Sequence, residues 1–243
     1  GVLVVAVGMA TRLLRFVGDA RKRYVAEVVL GTETSTLDAA GVVTAVHDMG
    51  DVGVDDARRV VSENLVGDIL QVPPMVSALK VEGRRLHELA REGIEVERAP
   101  RPVTVSRFDV AGGPAPGVLS IDVECSSGTY VRTLAADLGR LLGGGAHLRN
   151  LRRTAVGSFT LEEAAAPDVC ALLPVAAAVR SLDEVMVGDD VATLVANGRV
   201  LDAWEGRGPW AVFDRHGNLL AVYEPLRDHA AKPSVVLPTA AAG

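Results

Sequence analysis

The sequence predicts an α/β (α+β) chain in which a main domain is followed by a small β-rich one, and three patterns predict it. Val118–Cys125 alternates with a period of two and runs through a tight turn into a helical pattern. Residues 24–30 are β-branched and aromatic and stop at Gly31. After residue 180 only short strand-like stretches occur. The 243 residues suffice for one large domain or two smaller ones, and 49% hydrophobic against 23% charged residues is too apolar for a disordered chain.

Residues 1–10 form an apolar run, about half of the roughly 20 residues that a membrane span needs. The run has no basic lead-in and no initiator Met, so it does not read as a signal peptide, and the chain looks as though it begins inside a domain. Residues 24–30 read as a strand entering a Thr/Ser/Asp/Gly loop. Residues 55–66 set Ala57, Val60, Val61 and Leu65 at helical spacing behind Asp55 and Asp56, acids that favour a helix N-terminus. Pro73-Pro74 interrupts the chain, residues 84–93 read as a short helix closed by Gly93, and residues 101–110 return to a strand pattern. In Val118–Cys125, Leu119, Ile121, Val123 and Cys125 share one face. Ser126 to Thr129 offers caps for a helix in which Val131, Leu134, Ala135, Leu138, Leu141 and Leu142 recur. Residues 164–179 are Ala-rich with two prolines, a connector, and strand candidates follow at 211–213, 219–223 and 234–237.

The net charge of −6 conceals a split along the chain. Residues 160–243 hold 6 Lys and Arg against 12 Asp and Glu, while residues 1–159 are neutral. Within that neutral part, residues 12–24 and 132–153 each carry a net +4, and residues 33–63 are acidic. A local basic patch, not a basic average, is what a polyanion needs. Cys125 and Cys170 stand far apart and the five His are scattered, so the spacing indicates neither a disulfide framework nor a metal site. Gly143-Gly144-Gly145 follows a helix instead of opening one, which reads as a helix stop and not a phosphate cradle. Lys22-Arg23-Tyr24 and Tyr130-Val131-Arg132 each set a cation beside a ring, an arrangement able to clamp a base and its phosphate, or two tyrosines packed at the ends of core elements.

Read in order, a longer series of phrases resembles one family. The series runs through Gly1-Val-Leu-Val-Val, Lys22-Arg23-Tyr24, Leu30-Gly31 with Thr34, Thr36, Asp38 and Gly41, and Gln71-Val-Pro73-Pro74 with Ser77-Ala78 and Lys80. It continues through Gly83-Arg84-Arg85, Arg101-Pro102-Val103, Cys125-Ser-Ser-Gly128-Thr129-Tyr130-Val131-Arg132-Thr133, Asp137-Leu138-Gly139, and Gly145-Ala146-His147 with Leu151-Arg152-Arg153. To about Leu161 the chain resembles the bacterial tRNA pseudouridine 55 synthases of the TruB type.

The resemblance implies a pseudouridine synthase fold with a mixed, largely antiparallel sheet and flanking helices. Residues 1–178 would be the catalytic domain, with an RNA-gripping insertion at 71–102, and residues 179–243 a small PUA-like domain. It implies isomerisation of one uridine in the TΨC arm of tRNA, without metal or cofactor, by a cytoplasmic monomer. Tyr24 would stack on the flipped-out base, Tyr130 and Leu151 would line the uracil pocket, and Arg132 would pair with a nucleophilic Asp. Lys80, Arg84, Arg85, Arg152 and Arg153 would contact RNA. Base flipping makes physical sense, because a stacked base hides its glycosidic carbon and an aromatic platform offsets part of the unstacking.

One departure bears on catalysis. The family's nucleophile lies in a Gly-Thr-Leu-Asp-Pro phrase a few residues before a Gly-Val-Leu like the one at Gly1, and that phrase is not in this sequence. Thr36-Leu37-Asp38 imitates it but follows the Tyr24 strand and matches the family's separate Thr-x-Thr-x-Asp-x-x-Gly loop. The expectation is therefore an Asp upstream of this chain, and a chain that is inactive as given. The rival expectation is a non-catalytic RNA-binding protein or tRNA-folding chaperone. Arg132 weighs against the rival, since an arginine without a carboxylate partner is costly to bury.

Overall fold

The computed structural model describes residues 1–81, 83–227 and 229–238. They form two compact units, one of Gly1–Val2 with Arg21–Val156 and one of Leu3–Ala20 with the residues from Gly157 onward. In the first unit, strands lie side by side in the order Ala146–Val156, Lys22–Leu30, Val118–Cys125, Arg101–Gly112 and Gly67–Gln71, each antiparallel to its neighbour. One face of this sheet is apolar because the pleat alternates. Ala26, Val28 and Leu30 share it with Leu119, Ile121, Val123 and Cys125, and the helices Val54–Asn64 and Val131–Leu141 cover it with Val60, Val61, Leu134 and Leu138. Each Val or Leu buried there stabilises the fold by about 1.5–3 kcal/mol. At Gly139 the backbone of Ala146 lies so close that a Cβ would collide with it, which lets the Val131–Leu141 helix press against the Ala146–Val156 strand.

The helix expected over 84–93 shortens to Leu86–Arg91, because Arg84–Arg85 pairs with Lys80–Val81 as a two-stranded ribbon. Its N-terminus is closed by Glu88, whose carboxylate accepts the Arg85 N–H at 3.2 Å. The longest unforeseen element is the Ala146–Val156 strand. The apolar run at 1–10 gives no strand, and Gly8–Leu13 winds into a 3₁₀ helix that leads into the short helix Leu14–Gly18.

In the second unit the strands run in the order Asp183–Met186, Trp210–Phe213, Leu219–Pro225, Ala230–Val236 and Leu201–Asp202. The first pair is parallel and the others antiparallel, so this is the small β-rich unit that the sequence predicts. Leu13, with no exposed surface, packs with Val179, Ala211, Phe213 and Val222. Arg12 Nη1 donates to Val236 O at 2.7 Å, and Arg15 pairs with Glu224. Among the described residues no helix is long and apolar enough to cross a membrane.

Candidate active site

A loop and a helix start meet beside the Ala146–Val156 strand. The loop after Gly31 folds around Asp38: Thr34 Oγ1 donates to Asp38 O at 2.7 Å, while Oδ1 accepts Thr36 Oγ1 at 2.6 Å and the Ala40 N–H at 3.1 Å. Leu148 N–H donates to Leu37 O and Ala39 N–H to Leu148 O, both at 3.0 Å, so Asp38 forms a parallel bridge to Leu148. Leu37 is held at a φ of 61°, a left-handed conformation that a branched residue adopts only where its surroundings enforce it.

Arg132 lies one residue inside the Val131–Leu141 helix and reaches the same loop, its Nη1 donating to Asp38 Oδ2 at 3.1 Å. The Asp38 carboxylate is thereby held by three donors from two elements. Arg132 has its carboxylate inside the chain, 94 positions away, so its presence alone does not call for another one, contrary to the argument from sequence. A recess of about 250 Å³ opens over the pair, bordered by Asp38, Arg132, Leu148, Arg149, Asn150 and Leu151. It combines an oriented charge pair with two apolar side chains, a suitable environment for a flat, polar-edged ring.

Arg132, expected to pair with the nucleophile, borders this recess, and of the residues expected to bind the base Leu151 borders it while Tyr24 and Tyr130 do not. Tyr24 is half-buried in the Lys22–Leu30 strand, opposite Val123 and Arg153. Burial pushes its phenol up, and a bond from Arg153 pulls it partly back. Tyr130 caps the Val131–Leu141 helix, and its backbone is held by Gln71, whose Oε1 accepts the Tyr130 N–H at 2.8 Å and whose Nε2 donates to Tyr130 O at 3.2 Å. Gln71 is 2% exposed.

The basic clusters are partly consumed inside the fold. Arg23 grips Asp122 through two bonds, Arg149 binds Glu27, and Arg153 Nε donates to Val2 O. Lys80, Arg84 and Arg85 lie on the exposed 80–85 ribbon, with Arg84 paired to Glu92. Arg152 stands opposite Val25 in the sheet. A larger recess of about 400 Å³ holds Glu27, Asp109 and Asp122, each answered by an arginine, and no aromatic ring lines it. Among the described residues no three His, Cys, Asp or Glu side chains converge as a metal would require. Sequence reasoning missed Gln71, Glu27 and Asn150 as supports of the site, and nothing short of the strand register signals the last two.

Two family models match the chain, TruB family pseudouridylate synthase (N terminal domain) over residues 1–131 and tRNA pseudouridylate synthase B C-terminal domain over residues 132–187. The tRNA pseudouridine synthase B of Rhodococcus jostii is 43% identical over 248 residues, covering 98% of this chain and 81% of that protein. The protein of the same name from Mycobacterium leprae is 41% identical, covering 98% and 77%. Among solved structures, a Cbf5-Nop10-Gar1 complex superposes with a TM-score of 0.65 at 24% identity, over 96% of this chain and 71% of that one. An H/ACA RNP bound to a substrate RNA containing 2′-deoxyuridine gives 0.66 at 22% identity, over 95% and 70%. At such identities the likeness is one of fold.

Proposed function

Since the chain belongs to the TruB family of pseudouridylate synthases, we propose that it forms most of an enzyme that isomerises uridine to pseudouridine in tRNA, at position 55 of the TΨC arm. The observation that carries this reading is the recess in which Arg132 and Asp38 form a fixed ion pair beneath Leu151. In it a flipped-out uracil would lie against Leu151 and Leu148, with Tyr130 and the stacking ring of Tyr24 completing the enclosure as the base enters. The reaction breaks the N-glycosidic bond and forms a carbon–carbon bond with the same atoms and electrons, so no redox group is required.

The nucleophile in this reading is the Asp of a Gly-Thr-Leu-Asp-Pro phrase N-terminal to Gly1, and Arg132 orients it. A bidentate guanidinium can serve two carboxylates, and the bond to Asp38 uses only Nη1. The 243 residues by themselves would bind the T arm without isomerising it. Residues 1–178 would carry catalysis, with 71–102 gripping RNA through Lys80, Arg84 and Arg85, assisted by Arg152 and Arg153. Residues 179–243 would form a PUA-like appendage, and the enzyme would work as a cytoplasmic monomer.

The test is to express the complete gene product and measure pseudouridine formation in a T-arm stem-loop, for the parent, for Asp→Asn in the upstream phrase and for Asp38→Asn. The upstream change should remove all product, whereas Asp38→Asn should leave a measurable rate. Full activity in the upstream variant would overturn the assignment of the nucleophile. Tight binding without product in the parent would favour the RNA chaperone instead.

A further inference from the structure

The Ala146–Val156 strand is irregular where it borders the recess. Its register on Lys22–Leu30 pairs Val25 with Arg152 and Glu27 with Arg149, so Asn150 and Leu151 together stand opposite Ala26. One extra residue on one strand is a β-bulge, which bends the strand and re-aims side chains. Asn150 adopts a φ of 55° there, in the left-handed region that Asn tolerates and β-branched residues do not. Its Nδ2 donates to Glu27 Oε2 at 3.1 Å, the oxygen that also accepts Arg149 Nε at 2.7 Å.

The bulge decides which side chains meet the recess. In an unbroken strand, residues three apart point to opposite faces. Leu148 and Leu151 are three apart, yet both border the recess. Leu151 remains 49% exposed, a large apolar group held open at the rim. We propose that Asn150, anchored by Glu27, is a positioning residue whose bulge turns Leu151 over the recess to face the substrate base. The proposal rests on the reading of this recess as the uracil pocket. Asn150 acts through Leu151, by supplying the backbone conformation.

The experiment compares Asn150→Val, Asn150→Gly and Leu151→Ala in the complete gene product. It records kcat and KM on the T-arm stem-loop and the NMR resonances of the Leu151 methyl groups. Asn150→Val should shift those resonances and lower kcat at least tenfold with KM within threefold, the signature of an interaction realised in the transition state. Asn150→Gly should recover most of that loss, because glycine takes a positive φ freely. If Asn150→Val does not fold, Asn150→Ala brings a smaller Cβ into the same φ and replaces it. Unmoved Leu151 resonances in a folded variant would overturn the positioning role, as would a loss in Asn150→Gly equal to that in Asn150→Val. Normal turnover of Leu151→Ala would instead overturn the pocket reading, while the methyl shifts would still report whether Asn150 places Leu151.

Discussion

At the scale of single residues, the site depends on Arg132, which serves two purposes at once. Its guanidinium fixes the Asp38 loop and faces the recess in which the substrate would lie. Arg132→Ala removes the charge and its directional bonds while leaving the sheet and its core intact. In the complete gene product it should lower single-turnover pseudouridine formation by about 100-fold or more, the scale of losing one preorganised polar group. T-arm affinity should stay within several-fold, because affinity comes mainly from phosphate contacts elsewhere. A normal rate would reduce Arg132 to a structural pin for the loop. The sequence pointed to Arg132 and Leu151 directly, since both stand in motif phrases. Asp38 stood in a phrase too, but its contact with Arg132 spans 94 positions and depends on a parallel bridge between a loop and a strand that no local pattern announces.

At the scale of elements, legibility follows the pleat. Val118–Cys125 was readable because one side is apolar and the other polar, and its bounds are those of the strand. Ala146–Val156 was not, because His147, Arg149, Asn150, Arg152 and Arg153 interrupt the apolar positions and the bulge at Asn150 resets the alternation. Elements also owe their placement to side chains that grip backbone. Gln71, at the end of its strand, satisfies both main-chain groups of Tyr130 at the start of a helix. Gln71→Leu keeps the volume but strands the Tyr130 N–H, at about 1–3 kcal/mol, while Tyr130 O still accepts the Thr133 and Leu134 N–H groups at 3.0 and 3.1 Å. Urea unfolding should show a lower midpoint with an unchanged slope. An unchanged midpoint would mean that water replaces the amide.

A second element-scale contact titrates. Arg180 holds Glu163 through two bonds and also binds Ser158, tying residues 158–163 to the end of the 3₁₀ helix Val175–Val179. The bond from Arg180 lowers the Glu163 carboxyl below its ordinary value. A carboxyl lowered on folding adds stability above its unfolded pKa, about 4.3, and loses it as the pH falls through the folded value. Glu163→Gln should therefore melt below the parent at pH 7, and the gap should narrow as the pH falls below about 4.3 and close once it has passed the lowered folded value. A gap that persists in acid would show that the contact matters through shape and not charge.

At the scale of the whole molecule, sequence order and packing order differ. The Ala-rich connector at 164–179 divides the sequence near residue 178, whereas residues 3–20 pack within the C-terminal unit. Leu13 is the apolar anchor of that arrangement, fully buried against Val179, Phe213 and Val222, while Leu3, ten positions earlier, is 72% exposed. The apolar run at the start of the sequence could not reveal this, because hydrophobicity says that a side chain will be buried and not against which partner. Leu13→Ala should cost about 2–5 kcal/mol, the range for truncating a buried leucine, whereas Leu3→Ala should stay within about 0.5 kcal/mol. Hydrogen exchange locates the loss. If Leu13 belongs to the second unit's core, Leu13→Ala will speed amide exchange in Trp210–Phe213 and Leu219–Pro225 and leave Val118–Cys125 as protected as in the parent. Equal loss in both sets of strands would mean that the two units unfold as one, and protection lost only in Val118–Cys125 would return residues 3–20 to the first unit.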